Sequence, residues 1–419
     1  MSVIRIRGLH CLEGEIRIQG SKNAVLPLMA ASLLHRGTVV LKNVPGIQDV
    51  NCMKGILEYL GCVCEWNAHT LRISTEGLNT AVIPEAEAGR MRSSVMLLGP
   101  LLGRLGEAVS HHPGGCSIGR RPIDLHLSAL RKLGAEIRVE GDRITASAEG
   151  LRGSEILFPF PSVGATENAV MAAVAARGIT VLRGASVEPE IEVLCRFLKK
   201  MGARIDGIGS STLMIEGGQP LHDVTFAVPG DRIVAGTYAG AVLAAGGDVL
   251  LREAPADHMG AVLHAMNRMG GRTELLPEGI RVRMDGRPGA VCLATEAYPG
   301  FPTDLQSVIV AVAALADGES RIRETVFEAR FASAKELQKL GAHIIIEDRT
   351  VRVDGTYPLT GGSVRAADLR GGAALVVAGL AARGTTVLTG CEHIRRGYED
   401  ICRDLCSVGA DMEYGTVAT

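Results

Sequence analysis

The chain of 419 residues is poor in aromatic side chains, which make up 3% and include a single Trp. Its interior must therefore be packed from Ala, Val, Leu and Ile, small side chains that let helices approach closely. Long apolar runs are also missing. The longest, Val308 to Ala316, falls well short of the roughly 20 residues that cross a bilayer. No sign of charge dominates: the formal net charge is −2, which excludes a broad nucleic-acid or membrane-binding surface. The opening MSVIRIRGLH alternates charged and apolar residues and lacks the apolar stretch of a secretory signal. Ten cysteines contain no Cys-x-x-Cys pair. Their tightest groupings, Cys62 with Cys64 and Cys402 with Cys406, do not supply the four ligands of a structural zinc site. These absences point to reduced thiols in the cytoplasm, to no metal or other cofactor, and to small molecules rather than nucleic acid or membrane as partners.

What is present is repetition. A hydrophobic residue followed by Gly closes an amphipathic segment six times, at Gly61, Gly134, Gly202, Gly270, Gly341 and Gly409, in steps of 68 to 73 residues. Glycine just past a helix end takes a left-handed conformation that is costly for other residues. A second series, Gly37, Gly106, Gly178, Gly247, Gly318 and Gly384, opens short β stretches such as GTVVLKNV. Before each of these glycines lies an Ala/Val/Leu-rich segment, and helices of that composition with no polar face belong in a packed interior. One unit reads helix, strand, helix, strand, strand, which is a mixed α/β fold. The sixth unit stops short after Gly409, and the first residues read like its missing strands. We therefore expect two domains of three units, residues 21–229 and residues 1–20 with 230–419.

The starts of the first helices carry Ser21-Lys22-Asn23, Arg92, Ser162-Val163-Gly164, Asp231-Arg232, Thr303-Asp304 and Asp368-Leu369-Arg370. Capping accounts for Ser162, Asp231 and Asp368. It does not account for Lys22, Arg92 or Arg370, because a cation opposes the positive end of the helix dipole. Bound anions would explain them. The interval from Gly106 to Gly134 is longer than its five counterparts, and the extra length holds HHPGGCSIGRRPIDLH. An insertion in one copy of a repeat is commonly functional. There Cys116 stands beside Arg120 and Arg121, cations that lower a thiol pKa and fit it for proton donation or nucleophilic attack. A Cys-His hydrolase using His111 or His112 is the competing reading of the same loop.

The segments GSKNAVLP, MRSS, PGGCSIGRRPIDLH, SVGAT, EPEIE, FPTD, TVFE, DLR and RGYE, in that order, resemble the UDP-N-acetylglucosamine 1-carboxyvinyltransferase family of enolpyruvyl transferases over essentially the whole chain. The resemblance implies two inside-out α/β barrel domains of three repeated units, with the active site in the cleft between them. It implies transfer of the enolpyruvyl group of phosphoenolpyruvate to the 3′-hydroxyl of UDP-N-acetylglucosamine, with release of phosphate. That is the first committed step of peptidoglycan synthesis, the one blocked by fosfomycin. By the same resemblance Asp304 is the base at the 3′-hydroxyl and Cys116 the acid at C3. Lys22, Arg121 and Arg396 hold phosphoenolpyruvate, with Arg92 and Arg370 near them. The nucleotide lies along Arg121, Pro122, Ile123, Asp124 and Leu125 and along Ser162, Val163 and Gly164. Asn23 and Val326 contact the sugar, and Arg330 and Asp368 complete the binding set. Glu188 and Glu190 either order the site or serve as acidic first-turn residues. Phe160 stands where some members carry a basic residue near the diphosphate. A monomer is expected.

Two other readings remain open at this level. The shikimate-pathway enolpyruvyl transferase shares the fold but lacks the cysteine loop. A non-catalytic relative that only binds the sugar nucleotide would carry the same motifs without turnover.

Overall fold

A computed structural model describes residues 2–114, 119 and 122–416. The apolar segments form six helices, Lys22–Ala31, Leu98–Leu105, Val163–Ala175, Arg232–Ala245, Gln306–Ala313 and Leu369–Leu380. They are the dry interior: Leu369–Leu380 is buried at every residue. Each leads into a strand and then a helix with one apolar face. The helix Pro189–Lys200 buries Ile191, Leu194, Phe197 and Leu198 and keeps Lys199 and Lys200 in its last turn, where cations complement the helix dipole. The closing glycines take positive φ, 101° at Gly61 and 97° at Gly134, so the repeat in the sequence is a repeat in backbone conformation.

The chain forms two compact units, each with its own apolar core. One comprises, of the described residues, 20–114 and 122–229. Its sheets are the four-stranded Val224–Ala227, Thr38–Lys42, Thr70–Ser74, Val63–Asn67 and the four-stranded Arg204–Asp206, Thr212–Gly217, Gly178–Arg183, Glu155–Leu157. The third, Glu107–His111, Arg143–Ser147, Glu136–Glu140, has three strands, with an isolated Val82–Val109 bridge at its side.

The other unit comprises, of the described residues, 2–19, 119 and 230–416, and its apolar cluster runs from Ile4 to Met412. The strand Ser2–Arg7 (β1) lies between Thr385–Thr389 and Asp411–Thr416, antiparallel to both, so the first residues do fill the sixth sheet. The next strand, Leu12–Arg17 (β2), does not join it. It pairs in parallel with Gly247–Arg252 of the fourth sheet, because Gly8 and Leu9 turn the chain away through backbone bonds to Gly384 and Leu380.

Helix starts also differ in part from the capping expectation. Asp231 and Asp368 cap their helices through their carboxylates, but the Ser162 hydroxyl makes no capping bond. Arg92 opens a short 3-10 turn, Arg92–Leu97, which runs into the helix Leu98–Leu105.

Two helical glycines separate packing from propensity. A Cβ on Gly55, on the exposed side of Gln48–Tyr59, would meet nothing within 4 Å, whereas on Gly99 it would lie 2.5 Å from Asn168 Oδ1 and 2.7 Å from the Asn168 carbonyl. Gly55→Ala is expected to raise stability by about 0.5–1 kcal/mol. Gly99→Ala should lower it despite the same propensity gain, as measured by urea unfolding. A stabilised Gly99→Ala would show that the two helices yield to the methyl group.

Candidate active site

In the unit that ends the chain, a charged cluster sits at the starts of apolar helices. Asp304 occupies the turn Thr303–Leu305, just before Gln306–Ala313, and does not act as a cap. Its Oδ1 accepts from Arg330 Nη2 at 2.6 Å and its Oδ2 from Arg370 Nη2 at 2.7 Å. The arginine side chains are 5% and 7% exposed and the carboxylate 26%. Burial alone would push the Asp304 carboxyl up, but the Arg370 and Arg330 guanidiniums win and hold it well below the usual carboxylate range. Burial tends to lower Arg370, and Asp304 more than offsets this, so Arg370 is raised.

Neighbouring segments brace the cluster. The buried Glu324 takes the backbone N–H groups of Val326 and Phe327 on Oε1, and the Thr303 hydroxyl on Oε2. One carboxylate thus ties the segment holding Val326 to the turn holding Asp304. Asp368 accepts the backbone N–H groups of Arg370 and Gly371, each at 2.9 Å. Arg330 lies over the Phe327 ring, 5.2 Å from its centroid. Among the described residues, Arg330 Nε and Nη1 are buried donors without an acceptor. Unmade bonds on a buried cation are costly, and an anionic ligand would satisfy them. Arg396 ends the turn Cys391–Arg396.

In the other unit, Lys22 begins the helix Lys22–Ala31 and its Nζ lies 2.6 Å from Asp49 Oδ2. The cation that opposes its own helix dipole is thus compensated by a largely buried carboxylate. Asn23 follows on the same turn. Arg92 Nη2 donates to the Pro122 carbonyl at 3.1 Å. Pro122 and Ile123 lead into Asp124–Lys132, which Asp124 and Leu125 begin. A Cβ on Gly164 would lie 3.0 Å from the His126 ring, and Asn168 Nδ2 pairs with His126 Nδ1 at 3.3 Å. Arg92, the segment 122–126 and the start of Val163–Ala175 are therefore neighbours. Glu190 is close to Glu167, whose carboxyl is raised well above its ordinary value, first by burial and then by Glu190. Phe160 is 57% exposed. Cys116 and Arg121 lie outside the described residues.

Sequence reasoning missed three contributors: Asp49 opposite Lys22, Glu324 behind Val326, and Glu167 beside Glu190. All three are acidic residues that look ordinary until folding gives them partners.

These arrangements define a class. The family model described as EPSP synthase (3-phosphoshikimate 1-carboxyvinyltransferase) matches residues 6–405. The enolpyruvyl transferase NikO from Streptomyces tendae has the same fold, with a TM-score of 0.89, 26% identity, and coverage of 100% of this chain and 99% of its own. EPSP synthase from Acinetobacter baumannii, at 18% identity and a TM-score of 0.78 over 99% of this chain and 100% of its own, shows the fold alone. The architecture is thus the mixed α/β fold of enolpyruvyl transferases. UDP-N-acetylglucosamine 1-carboxyvinyltransferase 2 of Caldanaerobacter subterraneus subsp. tengcongensis is 44% identical, over 98% of this chain and 99% of its own length. The enzyme of Granulibacter bethesdensis named UDP-N-acetylglucosamine 1-carboxyvinyltransferase is 45% identical, over 99% of both. The chain belongs to the UDP-N-acetylglucosamine 1-carboxyvinyltransferase family. No helix of the described residues is long and apolar enough to cross a membrane.

The Asp304 cluster makes a stability prediction. Asn keeps an acceptor but leaves two buried guanidiniums uncompensated, so Asp304→Asn should cost about 3 kcal/mol at pH 7. Asp304 is more acidic folded than unfolded. Its contribution is therefore complete above about pH 4, the unfolded value, and is lost as the pH falls through the lower folded value. The difference between parent and variant urea curves should narrow accordingly. A difference that is flat with pH would show that the ion pairs carry none of it.

Proposed function

We propose that the chain transfers the enolpyruvyl group of phosphoenolpyruvate to the 3′-hydroxyl of UDP-N-acetylglucosamine and releases phosphate, in the cytoplasm and early in peptidoglycan synthesis. The observation that carries this is identity of 44–45% to relatives of that name along nearly the whole of both chains. The charged cluster supports it, because a carboxylate and cations at helix starts fit the chemistry. The finer architecture we propose is two inside-out α/β barrel domains, residues 21–229 and residues 1–20 with 230–419, each of three repeated units. We expect a monomer that works without metal or cofactor.

The reaction is addition followed by elimination. Asp304, ionised throughout the working pH range, takes the proton of the 3′-hydroxyl as its oxygen bonds to C2 of the enolpyruvate. The C2–C3 π pair takes a proton from the Cys116 thiol, giving a tetrahedral carbon that carries carboxylate, phosphate, methyl and the sugar oxygen. Cys116 thiolate then recovers a proton from the methyl group, the double bond reforms, and phosphate departs with the C–O electron pair and the proton from Asp304. A carboxylate held this acidic is a weak base. Any substrate anion that draws on Arg330 or Arg370 strengthens it, and the unmade donors of Arg330 favour such an anion. Lys22, Arg121 and Arg396 bind the phosphate and carboxylate, with Arg92 and Arg370 beside them, since guanidinium forks match both groups. The nucleotide runs along residues 121–125 and 162–164, with Asn23 and the Val326 carbonyl at the sugar. Arg330 and Asp368 position the anion site, and Glu188 and Glu190 order the turn at their helix start. Phe160 offers no charge to the diphosphate.

Phosphate release from phosphoenolpyruvate should require UDP-N-acetylglucosamine. Equal release with shikimate-3-phosphate would overturn the assignment, and no release with either would favour a binding protein.

The second experiment concerns Cys116. Burial pushes the thiols of Cys62, Cys64, Cys195, Cys402 and Cys52 up to about 12, so they contribute almost no thiolate at neutral pH. Cys11, Cys292 and Cys406 are exposed and are the competitors for a general alkylating reagent. The phosphonate epoxide fosfomycin should modify Cys116 alone, as read by peptide mass mapping. Cys116→Asp should resist it and keep turnover, because a carboxylic acid can donate the same proton. Inactivation with the label on another cysteine would refute the role given to Cys116.

A further inference from the structure

Glu324 follows the strand Glu319–Arg323 and is wholly buried, at 0% exposure. Its two oxygens take three hydrogens. Oε1 accepts the N–H groups of Val326 at 2.8 Å and Phe327 at 3.1 Å, and Oε2 accepts the Thr303 hydroxyl at 2.9 Å. A buried carboxylate is costly unless donors surround it, so the side chain and its three partners hold one another in place.

The backbone bonds have a directional consequence. In a trans peptide the carbonyl and the following N–H point in opposite directions. With the Phe327 N–H turned to Glu324, the Val326 carbonyl must face away from it, and Val326 is 41% exposed. The preceding peptide obeys the same rule. The Val326 N–H is turned to Glu324, and the Thr325 carbonyl, facing away, accepts from Arg349 Nη1 at 3.2 Å. A carbonyl can only accept, so the Val326 oxygen selects a ligand group that carries a hydrogen.

The other oxygen leads to Asp304. Thr303 immediately precedes Asp304 in the turn Thr303–Leu305. Phe327 provides a second route: its ring lies 5.2 Å from the Arg330 guanidinium, which donates to Asp304 Oδ1 at 2.6 Å. Glu324 therefore reaches the carboxylate both through its chain neighbour and through the ring beneath its partner.

We infer that Glu324 is a positioning residue that sets the acceptor hydroxyl against its base: one oxygen aims the Val326 carbonyl at the sugar, and the other anchors the turn that carries Asp304. The inference rests on the roles proposed for Asp304 and Val326.

Phosphate release with UDP-N-acetylglucosamine varied at saturating phosphoenolpyruvate tests the two oxygens separately. Thr303→Val keeps the shape of the side chain and removes only the hydroxyl. It should lower kcat about 10-fold, the scale of one lost hydrogen bond to a charged group, with little change in KM for the sugar nucleotide. Thr303→Ser should restore kcat. Glu324→Met has nearly the same length but no oxygen. It should lower kcat at least as much and also raise that KM about 10-fold. Glu324→Gln should return both constants toward the parent, because its amide oxygen keeps the two N–H groups and its NH2 can donate to the Thr303 hydroxyl. Thr303→Val added to Glu324→Met should lower kcat no further, since both remove the same bond.

Val353→Ala, buried in the strand Thr350–Asp354 of the same unit, is the control for destabilisation. It should lower the urea midpoint and leave both constants in place. A parental KM in Glu324→Met or a parental kcat in Thr303→Val overturns the inference, as do equal losses in Val353→Ala. Should Glu324→Met not fold, the two Thr303 variants decide it, and equal kcat for Val and Ser at that position refutes it. Asp304→Asn separates the two levels. Parental turnover in that variant removes the base assignment; lost turnover there, with parental constants in Glu324→Met, removes only the role of Glu324.

Discussion

One carboxylate shared by two buried guanidiniums, Asp304 between Arg330 and Arg370, is the constraint around which its unit is arranged. Two cations cannot be buried a few ångströms apart without a compensating anion, so the three segments that supply these residues must arrive together. The apolar helices make this possible by ending in the same place, with their charged residues at their starts. The Glu324 contacts then fix the neighbouring turn, and the caps by Asp231 and Asp368 fix the helix starts. The proposed function draws on the same electrostatics: the charge that stabilises the cluster also keeps ionised the carboxylate we propose as the base.

The unit formed by residues 20–114 and 122–229 solves the equivalent problem with different residues. Lys22 is compensated by Asp49, and Arg92 is tied to a backbone carbonyl. Asn168 links the helix Val163–Ala175 to Gly99, Val95 and His126, so a single amide braces three segments. The helices approach closely there because glycine and alanine occupy the crossing, the structural return on a chain with few aromatic residues.

Much of this was legible in the sequence. The twelve marker glycines gave the repeat, and Lys22, Arg92 and Arg370 stood out because capping could not explain a cation at a helix start. Asp304 was legible as a residue but not as a clamp, since its partners Arg330 and Arg370 are 26 and 66 positions away and nothing local pairs them. β2 was misplaced for a similar reason: its alternation fits any sheet, and the turn at Gly8 and Leu9 decides which one receives it. Asp49, Glu324 and Glu167 were illegible because their roles are conferred by neighbours.

The placement of β1 bears on how the chain is made. β1 becomes an inner strand of its sheet, and it is synthesised long before both of its partners, Thr385–Thr389 and Asp411–Thr416. All the residues between must be translated before β1 can bond, whereas residues 20–229 can pair among themselves much earlier. At a synthesis rate of about 5–20 residues per second, the wait lasts on the order of tens of seconds. Throughout it, a strand carrying Val3, Ile4 and Ile6 has both edges unpaired, a state that invites pairing with other chains. Arg5 and Arg7, alternating with those apolar residues, give the waiting segment a charge that discourages association with its own kind.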